Sequence, residues 1–366
     1  MKSMLAVVLS IAVTILCWGV YGPVLHWGQH AMDHSRLRPF ICVGLAYFLI
    51  GVVVPAILLQ MRKERGKWTA GGVIWSLLAG AVGAIGALGI IMAFAFGGRP
   101  VFVMPLVFGG APVVNSFLTV YWSKAFKKVG PMFLAGLIMV LAGSVAVLIF
   151  RPGSGAAAAA PSLSVQDLMG VFVSLAVVIL SWGVYGPMLH KGQMKMDGSR
   201  LRPLMCVGIA YFGIAVIVPG ILLGIWDDPG RFSFMGTVWS LAAGAAGAIG
   251  ALGIILAFTY GGKPVYVMPL VFGGAPVVNT FVSVIEHGNV DRLGPFFGAG
   301  LILVVVGAVI VLVFAPRGDT PPRPKRRRKK PKAEPAPQTA APTTNAPENE
   351  AAHEAEAGGD AASEPS

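Results

Sequence analysis

The sequence predicts an all-α polytopic membrane protein: ten transmembrane helices arranged as two inverted five-helix repeats. Three observations predict it. The second half of the chain repeats the first at an offset of 164 residues, which carries Trp18–Leu59 onto Trp182–Leu223 without a gap and with 30 of 42 positions identical. The same offset carries Trp75–Ile91 (WSLLAGAVGAIGALGII) onto Trp239–Ile255, and Val103–Asn115 (VMPLVFGGAPVVN) onto Val267–Asn279. Composition is the second observation. Hydrophobic residues make up 55% of the chain and charged residues 12%, with a mean hydropathy of +0.75; a soluble domain carries about 25% charged residues. Third, each copy holds five apolar segments near the ~20 residues that cross a hydrocarbon core of ~30 Å. Five is odd, so a second copy that follows directly sits upside down relative to the first, the build of many secondary transporters.

The predicted spans of the first copy are 4–25, 40–60, 70–95, 101–122 and 130–150. Those of the second are 167–189, 204–225, 235–259, 265–285 and 294–315. The first span has the look of a signal peptide over Met1–Leu16, but its copy, Leu168–Ile179, lies in mid-chain where no signal peptide can be, so it reads as an uncleaved helix. Cys42 and Cys206 are copies of one position in the second span; with Cys17 they lack metal-ligand spacing and read as small apolar packing residues. The third span carries a stripe of Gly80, Gly83, Gly86 and Gly89, repeated as Gly244, Gly247, Gly250 and Gly253, which suits close helix packing. The fourth span contains PLVFGGAP in both copies, and the fifth is apolar and Gly-rich.

Loop charges test the inversion, because cytoplasmic loops collect Lys and Arg. With both termini inside, the inner side holds Lys2, Arg62, Lys63, Arg65, Lys67, Lys124, Lys127, Lys128, Lys191, Lys195, Arg200, Arg202 and Lys263. The outer side holds only Arg36, Arg38, Arg99, Arg151, Arg231 and Arg292. The expected placement is a multi-pass plasma (inner) membrane protein with cytoplasmic termini. The organisation follows: repeat one over 1–150, an Ala/Pro/Gly linker over 151–164, repeat two over 165–316, and a tail over 317–366. The tail is Pro, Ala and Glu rich and is expected to be disordered. Its run Lys325, Arg326, Arg327, Arg328, Lys329 and Lys330 suits a topology anchor or contact with anionic lipid, and no nucleic acid is expected as a partner.

Ala93–Trp122 (AFAFGGRPVFVMPLVFGGAPVVNSFLTVYW), followed by Gly130–Phe150, has a small-residue helix, a short turn, a Pro-broken helix and a Gly-rich last helix. In this pattern, and in its ten helices from two five-helix copies, the chain resembles the drug/metabolite transporter superfamily in its EamA-like branch. Glu286 stands where that family commonly has a glutamate before its last helix; the first copy has Trp122 there. The resemblance implies alternating-access transport of a small organic solute, with no cofactor and no catalytic residue.

Candidate solute-binding residues follow from the chemistry of the breaks. Proline removes a backbone donor and glycine adds freedom, so Gly109, Gly110, Gly273 and Gly274, between the prolines of PLVFGGAP, mark backbone groups released at midplane depth. Asn115 and Asn279, one turn later, either bond a solute or tie helices together. Trp18 and Tyr21, with their copies Trp182 and Tyr185, precede a Gly-Pro break near the predicted end of the first helix of each half. They either stack on a ring of the solute or sit at the membrane interface. Between the first and second helices, Asp33, Arg36 and Arg38 recur as Asp197, Arg200 and Arg202; they form gates or anchor at headgroups. Arg99 and Lys263, in GG[RK]P, are gate charges or helix caps. No Asp or Glu falls at the centre of a predicted span, so nothing in the sequence argues for proton coupling. A membrane scaffold or sensor, or a lipid-handling membrane protein, is the alternative to transport.

Overall fold

The computed structural model describes residues 2–33, 35–61, 64, 66–97, 100–122, 129–150, 164–225, 227–228, 230–286 and 294–314. Among the described residues the chain forms ten helical rods and no strand. In the first copy these are α1 (Lys2–His30), α2 (Leu37–Met61), α3 (Ala70–Ala95), α4 (Pro100–Trp122) and α5 (Pro131–Ile149). In the second they are α6 (Val165–Lys195), α7 (Leu201–Leu222), α8 (Phe234–Thr259), α9 (Pro264–Glu286) and α10 (Pro295–Phe314). Seven helices, α1, α2, α3, α6, α7, α8 and α9, are long and apolar enough to cross a membrane; apolar stretches at Leu106–Trp122, Pro131–Val147 and Pro295–Val311 are shorter. Large apolar side chains such as Leu5, Leu9, Phe172, Val173, Leu180 and Ile302 face outward. A water-soluble fold seldom exposes so much apolar surface. The protein is a helical, multi-pass membrane protein. The predicted linker, except Ser164, and the tail with its basic run lie outside the described residues.

Two expectations about helix ends change. The helices α1 and α6 do not stop near the Gly-Pro pairs: they run 29 and 31 residues, through Pro23 and Pro187. The lost hydrogen bond is offset by packing on both sides of each proline, with α1 lying on α8 and α9 and α6 on α3 and α4. As a result Trp18, Tyr21, Trp182 and Tyr185 sit inside helices, not at their ends. Likewise α4 and α9 are continuous through PLVFGGAP; no gap opens there. In α2 and α7 the helix widens into one π turn, Leu49–Val53 and Gly213–Ile217, just before Pro55 and Pro219. The extra residue gives each proline ring room against the preceding turn.

The copies interleave. The helices α1 and α2 of the first copy pack on α8 of the second, while α6 and α7 of the second pack on α3 of the first. Each bundle therefore mixes both copies, and α5 pairs with α10. The glycine stripe makes this possible. A Cβ on Gly86 would collide with the Trp182 ring, and one on Gly250 would collide with the Trp18 ring. Contacts recur with the copies exchanged, as in a two-fold arrangement. Trp18 Nε1 donates to the Gly247 carbonyl at 3.2 Å, and Trp182 Nε1 donates to the Gly83 carbonyl at 3.3 Å. Where a residue meets its own copy, Tyr47 stacks flat on Tyr211 with ring centres 3.8 Å apart.

An aromatic cavity shared by both copies

The rods place one aromatic layer from each copy around a common space. Trp18 and Tyr21 come from α1, Tyr47 from α2, Gly83 from α3 and Phe108 from α4; Trp182 and Tyr185 come from α6, Gly247 from α8 and Phe272 from α9. They enclose a cavity of about 60 Å³. Phe272 lies within 6.1 to 6.5 Å of the rings of Trp18, Phe108 and Trp182. Both indole N–H groups are already committed to glycine carbonyls. The walls thus offer ring faces and tyrosine hydroxyls, and no lining residue is charged.

The prolines of PLVFGGAP act here in a specific way. Pro112 and Pro276 have no N–H to give the carbonyls four residues earlier, and those carbonyls belong to Phe108 and Phe272, both cavity residues. In each copy one backbone carbonyl of a cavity-lining residue therefore lacks its usual helical donor.

The glycines between those prolines do not line the cavity. A Cβ on Gly110 would meet Ile179, one on Gly274 would meet Ile15, and one on Gly273 would meet Val140; Gly109 has only Val145 within contact distance. They let α4 and α9 approach their neighbours, which is packing. Asn115 is also elsewhere. Fully buried, it donates from Nδ2 to the Pro264 carbonyl at 3.0 Å and ties α4 to the start of α9. Asn279 is buried, with Nδ2 against Gly22 of α1. Of the predicted binding residues, the structure brings Trp18, Tyr21, Trp182 and Tyr185 together at the cavity.

The predicted gate charges pair otherwise than expected. Arg38 and Arg202 do not reach Asp33 and Asp197. Arg38 forms an ion pair at 2.8 Å with Asp228, which also accepts from Ser35 Oγ and the Arg36 amide. In the exchanged position Arg202 pairs at 3.1 Å with Glu64, which accepts from Ser199 Oγ and the Arg200 and Leu201 amides. Both pairs pin the start of α2 or α7 to the loop that enters the helix packed beside it, so they fasten each bundle internally. Arg36 and Arg200 contribute through their backbone N–H groups. Asp33 and Asp197 adopt φ of 53° and 55°, the left-handed turn that closes α1 and α6, and make exposed pairs with Arg231 and Lys67. Asp197 thus pairs with Lys67 and not with the nearer-in-sequence Lys191 or Lys195. Lys191 instead sits over the rings of Trp75 and Trp122, at 3.9 and 4.6 Å. The Lys263 carbonyl accepts from the Tyr266 and Val267 amides and so caps α9, the following helix. Arg99 lies outside the described residues.

The two ends of the cavity differ. At the end where α6 and α8 finish, Gln193 is buried and donates from Nε2 to the Ile255 carbonyl (3.1 Å) and to Thr259 Oγ1 (2.8 Å). His190 stands edge-on to Phe258, and Met268 packs against Gly186. These contacts join the two bundles there. At the other end, where α1 and α3 finish, the copy Gln29 is half-buried, no matching bond to Ile91 is made among the described residues, and Ala95 replaces Thr259. Accordingly α6 touches α8 and α9, whereas among the described residues α1 has no comparable contact with α3 or α4.

A solved structure described only as "Crystal structure of protein" is similar to this chain with a TM-score of 0.60 and 19% identity, over 86% of this chain and 99% of that one. At this identity the likeness concerns the fold. No protein-family model matches the chain, and no curated protein matches it.

Sequence reasoning missed Tyr47, Phe108, Phe272, Glu64 and Asp228. The phenylalanines lie inside PLVFGGAP, and Tyr47 lies in the repeated block with Trp18, so repetition gave a signal. Glu64 and Asp228 had another signal: they hold one register position in otherwise diverged loops.

Proposed function

We propose that this protein is a secondary transporter of the drug/metabolite transporter type. In this reading all ten helices cross the inner membrane as two inverted five-helix repeats with cytoplasmic termini, and a small organic solute passes by alternating access. One observation carries the reading: a cavity built from corresponding residues of both copies, lying between two bundles that each mix the copies. Rocking one bundle against the other would expose such a cavity to each side in turn. The walls favour a compact solute with an apolar or aromatic body, and the tyrosine hydroxyls suit a hydrogen-bonding group on it. No lining charge supports a coupling ion, so facilitated diffusion or solute exchange fits the site.

The test begins with thermal unfolding of detergent-purified protein against sugars, nucleotide sugars, amino acids, organic anions and cationic compounds. A ligand at 100 times its Kd stabilises by ~2.7 kcal/mol. Flux of the hit into proteoliposomes is then compared for wild type and Phe108→Trp, which fills the cavity. Loss of flux with folded protein retained is expected. Full flux through the filled cavity would overturn the transport reading and favour the scaffold or lipid-handling alternative. Gly110→Trp is unsuitable as a plug, because Gly110 abuts Ile179 and the variant would disturb packing.

A further inference from the structure

We infer that Gln193 is the gating residue of the mouth formed by the ends of α6 and α8, and that the two mouths are unequal because Thr259 is replaced by Ala95 in the other copy. The inference rests on the alternating-access reading. Gln193 belongs to α6 and its two acceptors belong to α8, so its hydrogen bonds run from one mixed bundle to the other. The arginine pairs act within a bundle and cannot serve this purpose.

The amide orientation is fixed by chemistry. A carbonyl only accepts, so the atom facing Ile255 O must be the amide nitrogen. That leaves Gln193 Oε1 buried without a partner among the described residues, as is Nδ1 of His190 one turn earlier on the same helix face. A buried acceptor left unmatched weakens the closed form. Two bonds hold the seam shut while two unmatched atoms work against it, and a balance of that kind lets a mouth close and still reopen.

Exchange of the copies predicts the opposite state. When the mouth at α6 and α8 opens, Gln29 of α1 meets the end of α3, where Ile91 and Ala95 correspond to Ile255 and Thr259. Ala95 has no hydroxyl, so Gln29 can form only the bond to the carbonyl. The closure made by Gln193 holds one more bond, and the resting protein favours the form seen here.

The experiment measures this without a solute. Spin labels are placed on cysteines introduced at Met194 and Tyr260, which are exposed beside the seam, after Cys17, Cys42 and Cys206 are replaced by alanine. Distances are read by double electron–electron resonance in nanodiscs. The parent should show mainly one short distance. Gln193→Leu should move the equilibrium toward a longer distance by about 30-fold, and Thr259→Ala by about 5-fold. Ala95→Thr should also lengthen it, by strengthening the opposite closure. Thermal unfolding identifies variants that do not fold, and Thr259→Ala and Ala95→Thr are mild enough to carry the test if Gln193→Leu fails. Unchanged distances in folded Gln193→Leu, or in both milder variants, would overturn the gate. Because flux through the plugged cavity is read separately, the gate can fail while the transport reading stands.

Discussion

The end of the molecule at the finish of α6 and the end at the finish of α1 have nearly the same sequence and different contacts. At the first, Gln193 is only 1% exposed and bonded across the bundles; at the second, Gln29 is half-buried and makes no such bond among the described residues. Each end is fastened by an arginine–carboxylate pair, yet one uses Glu64 and the other Asp228. Two copies that fold into the same rods differ where single side chains reach between rods. Backbone architecture follows the shared pattern, and the contacts between rods follow the few departures from it.

The largest effect that sharpens this comparison should come from the ion pairs. Asp228 is 4% exposed and satisfies three donors, and Glu64 is 13% exposed. Removing one partner of such a pair leaves an uncompensated charge in a partly buried site. Asp228→Ala and Glu64→Ala should each lose about 3 kcal/mol in thermal unfolding in detergent. Similar losses would show that the pairs fasten each bundle alike. If Glu64→Ala cost nothing while Asp228→Ala cost the full amount, the fastening would belong to one end only.

A smaller effect is expected at the helix starts. Ser233 Oγ accepts from the Gly236 amide and donates to the Ala31 carbonyl, and Thr69 Oγ1 accepts from the Gly72 amide and donates to the Lys195 carbonyl. Each hydroxyl thus caps its own helix and holds the end of the rod beside it. Ser233→Ala and Thr69→Ala should each cost about 1 kcal/mol. The costs should add in the double variant, because the two sites sit at opposite ends of the interleaved rods and share no partner.

The helical rods were legible in the sequence because apolar length and internal repetition are local signals. The cavity was legible in part. Trp18, Tyr21 and their copies were found, but they were placed at helix ends, because a Gly-Pro pair reads as a stop. Packing of α1 along α8 and α9 overrides that stop, and no local pattern announces it. PLVFGGAP lies on two helices that border the cavity, where its glycines serve packing and its prolines leave the carbonyls of Phe108 and Phe272 without their helical donors. The partners of Arg38 and Arg202 were not legible, since Asp228 and Glu64 lie 190 and 138 residues away. Only the interleaving of the copies brings them together.

The smallest expected effect lies at Lys191, and it tests whether the ends differ in charge as well as in closure. Its ammonium sits over Trp75 and Trp122, while the corresponding residue at the other end is Trp27, packed edge-on against Trp239 with centres 5.0 Å apart. One end thus holds a cation on two indoles and the other an aromatic pair. An ammonium over an indole contributes about 0.5–1 kcal/mol at an exposed site and more when desolvated. Lys191→Met keeps the length of the side chain and removes the charge, so it should cost about 1 kcal/mol. It should also change the fluorescence of Trp75 and Trp122, which lose an adjacent charge. Trp27→Lys combined with Glu286→Gln, which removes a carboxylate able to pair with the new ammonium, should recover little at the other end, because the second indole is missing there: Glu286 holds the register of Trp122. An equal gain there would mean that one indole suffices, and that the asymmetry of the ends resides in Gln193 and Thr259 alone.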